Sequence, residues 1–170
     1  GTGNAAVTRC YNTCFTIRHG AQVLLVDAGG GNGILARLEQ AGVLLTEVHD
    51  VFLTHTHTDH ILGVVWVLRM VAQAMNAGKY TGELHIYGHA EGLQALETIC
   101  RLTLPGKVCR HIREDILLHE LEDLRLDGHV EGRSRLVGDE DVRLAGQGHG
   151  DHDALAHAAG ELVRILLRPA

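Results

Sequence analysis

The chain has no basic excess, no long apolar run and no paired-cysteine spacing, and each absence removes a class of protein. Lys and Arg number 15 against 21 Asp and Glu, a formal net charge of −6. The chain as a whole therefore lacks an electrostatic footprint for nucleic acid, and only a local basic patch could supply one. The longest apolar run, Ile61 to Val67, is interrupted soon afterwards by Arg69 and is too short to span a bilayer, so no membrane-embedded segment is expected. Cys10, Cys14, Cys100 and Cys109 follow neither a zinc-ribbon spacing nor a secreted disulfide framework. They read as reduced, partly buried thiols of a cytoplasmic protein. With 45% hydrophobic and 21% charged residues, disordered and collagen-like classes are excluded, and 170 residues suffice for one domain with a sizeable core.

Histidine is what the chain has in plenty, 13 in all. Most carry no message alone: His19, His49 and His85 read as surface or strand residues. The stretch VFLTHTHTDHILG, Val51 to Gly63, is different. A short apolar run leads into His55, His57, Asp59 and His60, and a long apolar segment follows, which predicts a strand, a ligand-bearing loop and a helix. Imidazole nitrogens and a carboxylate suit zinc, and also manganese or iron. His55 and His57, two apart in extended backbone, project to the same side. Asp59 and His60, at the turn into the helix, reach a second point close by, so a two-metal site is the natural expectation. A purely structural zinc would more often use Cys, and all four Cys lie far from this loop.

The rest of the chain alternates strands with helices. Cys14 to Arg18 and Gln22 to Val26 predict a hairpin turning at His19-Gly20. The loop from Asp27 to Gly33, DAGGGNG, reads first as a tight connection whose glycines allow positive φ. A phosphate cradle is the weaker reading, because Walker spacing is missing. Asp27, at a strand end, is also placed to orient a metal-bound His as an acceptor. Helical spacing covers Ile34 to Ala41 before Gly42, and Ile61 to Ala77 before Gly78. Val48 to Leu53 and Glu83 to Tyr87 read as strands, Ala90 to Leu102 as a helix, and Val108 to Ile112 and Ile116 to Leu121 as further β candidates. This is an α/β layered pattern. From about Glu122 the texture turns to Leu, Arg, Gly, Ala and His, with a last helical candidate at Ala154 to Leu167; the tract around His149, His152 and His157 reads as a polar loop.

Residues 1–120 resemble the metallo-β-lactamase-fold hydrolases, and among them the RNase Z-like and arylsulfatase-like branch. LTHTHTDHILG matches that superfamily's H-x-H-x-D-H motif. GTGNA resembles the glycine-rich turn after the first strand, VDAGGGNG the Asp-bearing loop, and LHIYGHAEGL the strand-turn-helix beyond the long helix. The resemblance implies an α/β fold, an αββα sandwich, read here as a single domain over 1–170 that is incomplete at its N-terminus and in its C-terminal half. Residues 121–170 diverge from the pattern. By the same resemblance His55 and His57 bind a first metal and Asp59 and His60 a second, two Zn2+ or Mn2+ or Fe2+ in their place, and Asp59 also handles a proton. The family's third His, bridging Asp and last His have no aligned counterpart; His129, Asp139, His149 and His152 are the nearest substitutes. The implied reaction is hydrolysis of a phosphodiester, RNA 3′ processing-like or small and cyclic, by a metal-activated hydroxide. The alternatives are an arylsulfatase-like ester hydrolase and an inactive fragment keeping part of the metal site. The partner expected is a small-molecule or nucleic-acid phosphodiester, and a homodimer is compatible with the reading.

Overall fold

The computed structural model describes residues 5, 6 and 8–121. Strand β1 (Phe15–His19) turns through Gly20, whose φ of 59° suits a residue without Cβ, into β2 (Gln22–Val26), and the two pair antiparallel. α1 is Gly33–Gln40, β3 Val48–Phe52, α2 Thr58–Asn76, β4 Leu84–Gly88, α3 Ala90–Thr103, α4 Gly106–Cys109 and β5 Ile116–Glu120. Helical connections join β2 to β3, β3 to β4 and β4 to β5. Strands β2 to β5 are mutually parallel and the sheet order is β1-β2-β3-β4-β5. Right-handed crossovers between successive neighbours place their helices on one face of the sheet.

That face carries the main core. Leu25, Val51, Leu53 and Ile86 from the strands meet Ile34, Ile61, Val64, Leu68 and Leu96 from the helices. The opposite face holds a second buried cluster of Leu24, Val26, Phe52 and Tyr87, with Ile17 and Leu121 packed against it. A sheet apolar on both sides explains why QVLLV reads as an unbroken apolar run instead of alternating. It is also the inner-layer sheet that an αββα sandwich requires. No helix of the described residues is long and apolar enough to cross a membrane, and the four cysteines are free thiols, Cys100 buried and Cys10 exposed.

Most predicted elements appear within a residue or two of their expected ends, with two departures. α2 begins at Thr58, not Ile61, so Asp59 and His60 belong to its first turn. Val108 to Ile112 is not a strand. Pro105 starts a short helix there, its carbonyl accepting the Val108 and Cys109 N–H groups and Gly106 accepting Arg110. Val108 and Ile112 are both buried, and a spacing of four is helical where a strand would alternate; only an isolated bridge links Ile112 to Ile116.

α2 presses directly on the backbone that leaves β2. The Gly63 N–H donates to Gly29 O at 2.7 Å and Ala28 N–H to His60 O at 3.2 Å. A Cβ on Gly63 would lie 1.7 Å from Ala28 O, whereas one on Gly31 would meet nothing within 4 Å. Gly63→Ala is therefore expected to cost about 1–3 kcal/mol or more by forcing backbone apart, and Gly31→Ala close to nothing. Urea midpoints of the two variants against the parent chain check this, and an unshifted midpoint for Gly63→Ala would refute the close approach.

Candidate metal centre

β2 and β3 are parallel neighbours in register, Val26 opposite Phe52, so the segments leaving their carboxyl ends run side by side. This edge of a parallel sheet is where open α/β folds bind ligands. Asp27 takes the first position past β2 with φ of 52°, a left-handed conformation that costs a residue with a Cβ roughly 1–2 kcal/mol but that Asp tolerates better than most. Its N–H donates to Phe52 O at 2.9 Å, and its side chain is 6% exposed. The Asp27 carboxylate accepts the Thr54 N–H at Oδ1 (2.9 Å) and both the Thr54 hydroxyl and His60 Nδ1 at Oδ2 (2.7 Å each).

Three imidazoles gather in front of that carboxylate. The His55 ring centroid lies 4.0 Å from that of His60 and 4.6 Å from that of His57. His55 Nδ1 is 2.8 Å from Thr54 Oγ1, and its Nε2 is 3.1 Å from His57 Nδ1. His60 Nε2 is 3.6 Å from Asp59 Oδ2. His57 is exposed at the helix N-cap position, and Asp59, in the first turn of α2, is half-buried; a carboxylate there also complements the positive end of the helix. All four residues expected from the motif thus share one cluster. His55 and His60 form its inner part with Asp27, one donor atom from each lying within 4.8 Å of the others, while His57 and Asp59 lie on the solvent side.

A divalent cation suits this donor set. Two imidazole nitrogens 3.1 Å apart share one proton or one cation, and metal–nitrogen bonds of about 2.0–2.1 Å span that separation at an ordinary coordination angle. Both oxygens of Asp27 already accept hydrogen bonds, which suits it as the orienting acceptor behind the histidines, although its carboxylate also lies within reach of a metal held by His55 and His60. Thr54 is the residue that sequence reading missed. Nothing distinguishes a Thr at the end of an apolar strand until the fold brings Asp27 beside it. The later candidates, His129, Asp139, His149, His152 and His157, lie outside the described residues.

The glycine-rich loop is filled by protein. Tyr11 lies over it, its hydroxyl 2.9 Å from Ala28 O and 2.8 Å from Gly31 O. A Cβ on Gly29 or Gly33 would come within 2.3 and 2.6 Å of the Tyr11 ring. Gly29, at φ 72°, is needed twice over, for its backbone and for the ring. This favours the tight-connection reading of the loop over a phosphate cradle. Burial pushes the Tyr11 phenol up, so it remains a donor.

The sheet, its one-sided helices and the histidine cluster at the strand ends define a metallo-β-lactamase-fold protein of the RNase Z-like type. Residues 1–121 match the family model described as "Anti-Pycsar protein Apyc1", and the chain belongs to that family. Among curated relatives, ribonuclease Z of Thermococcus kodakarensis is 31% identical over 129 residues, covering 74% of this chain and 37% of the relative. Ribonuclease Z of Pyrococcus horikoshii is 31% identical over 137 residues, covering 80% and 38%. The chain thus spans well under half the length of these relatives. The crystal structure of human tRNase Z, short form, superposes with a TM-score of 0.50 at 19% identity over 64% of this chain and 37% of that one, which supports the shared fold.

Removing the Tyr11 hydroxyl tests the clamp on the loop. Tyr11→Phe should lower stability by about 1 kcal/mol, the value of one net hydrogen bond. Tyr11→Ala should cost more, because it also uncovers Gly29 and Gly33. Amide exchange across residues 28–33 should quicken in both; unchanged exchange would refute the clamp.

Proposed function

We propose that the chain carries the metal centre of a phosphodiesterase acting on small or cyclic phosphodiesters. The observation that carries this reading is the grouping of His55 and His60 with Asp27 at the strand ends, with His57 against His55 and Asp59 against His60. His55 and His57 would hold one divalent ion, Zn2+ first among the candidates, and Asp59 with His60 a second. Such ions supply Lewis acidity, drawing charge from a phosphoryl oxygen and acidifying water beside it. The protein's own share is orientation and proton handling. Asp27 fixes His60 through Nδ1. Asp59 directs Oδ2 towards His60, and its Oδ1 would take up the proton of the attacking water. The preference for small substrates follows from charge, since a net charge of −6 opposes a polyanion whose affinity normally comes from Lys and Arg contacts to phosphates. RNA 3′ processing is the second reading, favoured by the relatives named ribonuclease Z.

Metal content and hydrolysis measured together on the 170-residue chain test both readings. About two metals per chain, with turnover of a chromogenic phosphodiester and of cyclic nucleotides but not of 3′-extended RNA, is the expected result. Cleavage of RNA alone would transfer the conclusion to the second reading, and a metal-loaded chain without turnover would refute both. Asp59→Ala should lower metal content and reduce turnover by about two to four orders of magnitude. Full activity in Asp59→Ala would remove the role given to it.

A further inference from the structure

We infer that Thr54 is a positioning residue that holds His55 in its Nδ1–H tautomer, keeping Nε2 as a lone pair for metal, and that it does so through the same Asp27 carboxylate that orients His60. The inference deepens the phosphodiesterase reading by naming what readies its donors, and it rests on that reading only for the use made of the lone pair.

The number of protons available fixes the direction of these bonds. The Thr54 hydroxyl has one to give and two neighbours to receive it, Asp27 Oδ2 at 2.7 Å and His55 Nδ1 at 2.8 Å. Thr54 is already tied to Asp27 through its N–H, which donates to Oδ1 at 2.9 Å. If the hydroxyl turned to His55, Thr54 Oγ1 and Asp27 Oδ2 would meet lone pair to lone pair at 2.7 Å beside a carboxylate only 6% exposed. An ionised carboxylate is acceptor-only, so although Asp27 would keep the Thr54 N–H and His60 as donors, that oxygen–oxygen contact would turn from a charge-assisted hydrogen bond into a repulsion, the more costly arrangement. The hydroxyl proton therefore goes to Asp27. Thr54 Oγ1 can then only accept, and His55 Nδ1 must carry the proton that it accepts. In the neutral ring this leaves Nε2 unprotonated, and Nε2 is the atom that faces His57 Nδ1 at 3.1 Å.

His60 obeys the same logic without an intermediary. Its Nδ1 lies 2.7 Å from Asp27 Oδ2 and donates, while its Nε2 faces Asp59 Oδ2 at 3.6 Å. One buried carboxylate thus holds a proton on Nδ1 of two histidines, of His60 directly and of His55 through a hydroxyl. Partners that fix tautomer and ring direction in this way are worth 10–100-fold in metal affinity in other sites. A Val at position 54 would match Thr in shape and suit a strand end equally well; only the relay requires a hydroxyl.

Two-bond 1H–15N correlation of the histidine rings in the metal-free chain reads the tautomers directly. His55 should show a protonated Nδ1 and an unprotonated Nε2, and His60 a protonated Nδ1. In Thr54→Val, His55 should shift to the Nε2–H form or a mixture while His60 stays unchanged, and zinc affinity, measured by competition with a chromophoric chelator, should fall by about 10–100-fold. Thr54→Ser, which keeps the hydroxyl, should recover both. A parent chain with His55 protonated on Nε2 overturns the inference without any variant, so it stays testable should Thr54→Val fail to fold. Unchanged tautomer and affinity in Thr54→Val overturn it as well. These measurements do not involve turnover: a chain that hydrolyses nothing while showing the expected tautomers would refute the phosphodiesterase reading alone.

Discussion

A carboxylate buried at the end of an interior strand must be surrounded by donors, because an ionised group taken out of water without them costs more than a small domain can spare. Asp27 is the only buried carboxylate among the described residues, and its donors come from two other parts of the chain, Thr54 just past β3 and His60 in the first turn of α2. These partners stand 27 and 33 residues away in sequence. The strand-end connections are therefore tied to each other through two oxygen atoms, and the histidine cluster inherits its order from that tie. The left-handed backbone at Asp27 fits the same picture, since a conformation of this kind persists where its surroundings over-determine it.

The main chain repeats what the side chain does. Ala28 and Gly29 exchange hydrogen bonds with His60 and Gly63, so the start of α2 is docked on the Asp27 loop by backbone before any side chain is considered. Gly63 allows this by having no Cβ where Ala28 O sits, and Tyr11 covers the loop from the other side by occupying the space above Gly29 and Gly33. A rigid support of this kind matters for a metal centre, because donors that are already aimed need not be reorganised when the ion enters.

The histidine cluster was legible because it is local: four metal-capable side chains in six residues, placed where an apolar strand gives way to an apolar helix, need no knowledge of the rest of the fold. The element pattern was legible for the same reason, since Ile61 to Met75 and Gln22 to Val26 declare a helix and a strand by their own periodicity. Helix α2 was placed three residues late because its first turn, Thr58-Asp59-His60, is polar and carries no apolar stripe to reveal it. Val108 to Ile112 was misread because β-branched residues next to a proline look like a strand until their burial is seen to recur every four positions. Thr54 was invisible for a deeper reason. A hydroxyl at a strand end means nothing by itself, and its partner is supplied by β2, which only parallel pairing in the right register brings alongside.

The same register explains why the centre lies where it does. With Val26 opposite Phe52, the residues that follow the two strands emerge side by side, Asp27 from one and Thr54 with His55 from the other. A shift of one residue in that pairing would turn the side chains of one strand to its opposite face and break the Thr54 clip on Asp27. The register is held by burial on both faces of the sheet: Leu25 and Val51 lie in the helix-side core, Leu24, Val26 and Phe52 in the opposite cluster. A slip would exchange these packings and gain nothing. The apolar strands thus determine the chemistry indirectly: by allowing only one pairing, they bring the carboxylate of one strand end to the hydroxyl and imidazole of the next.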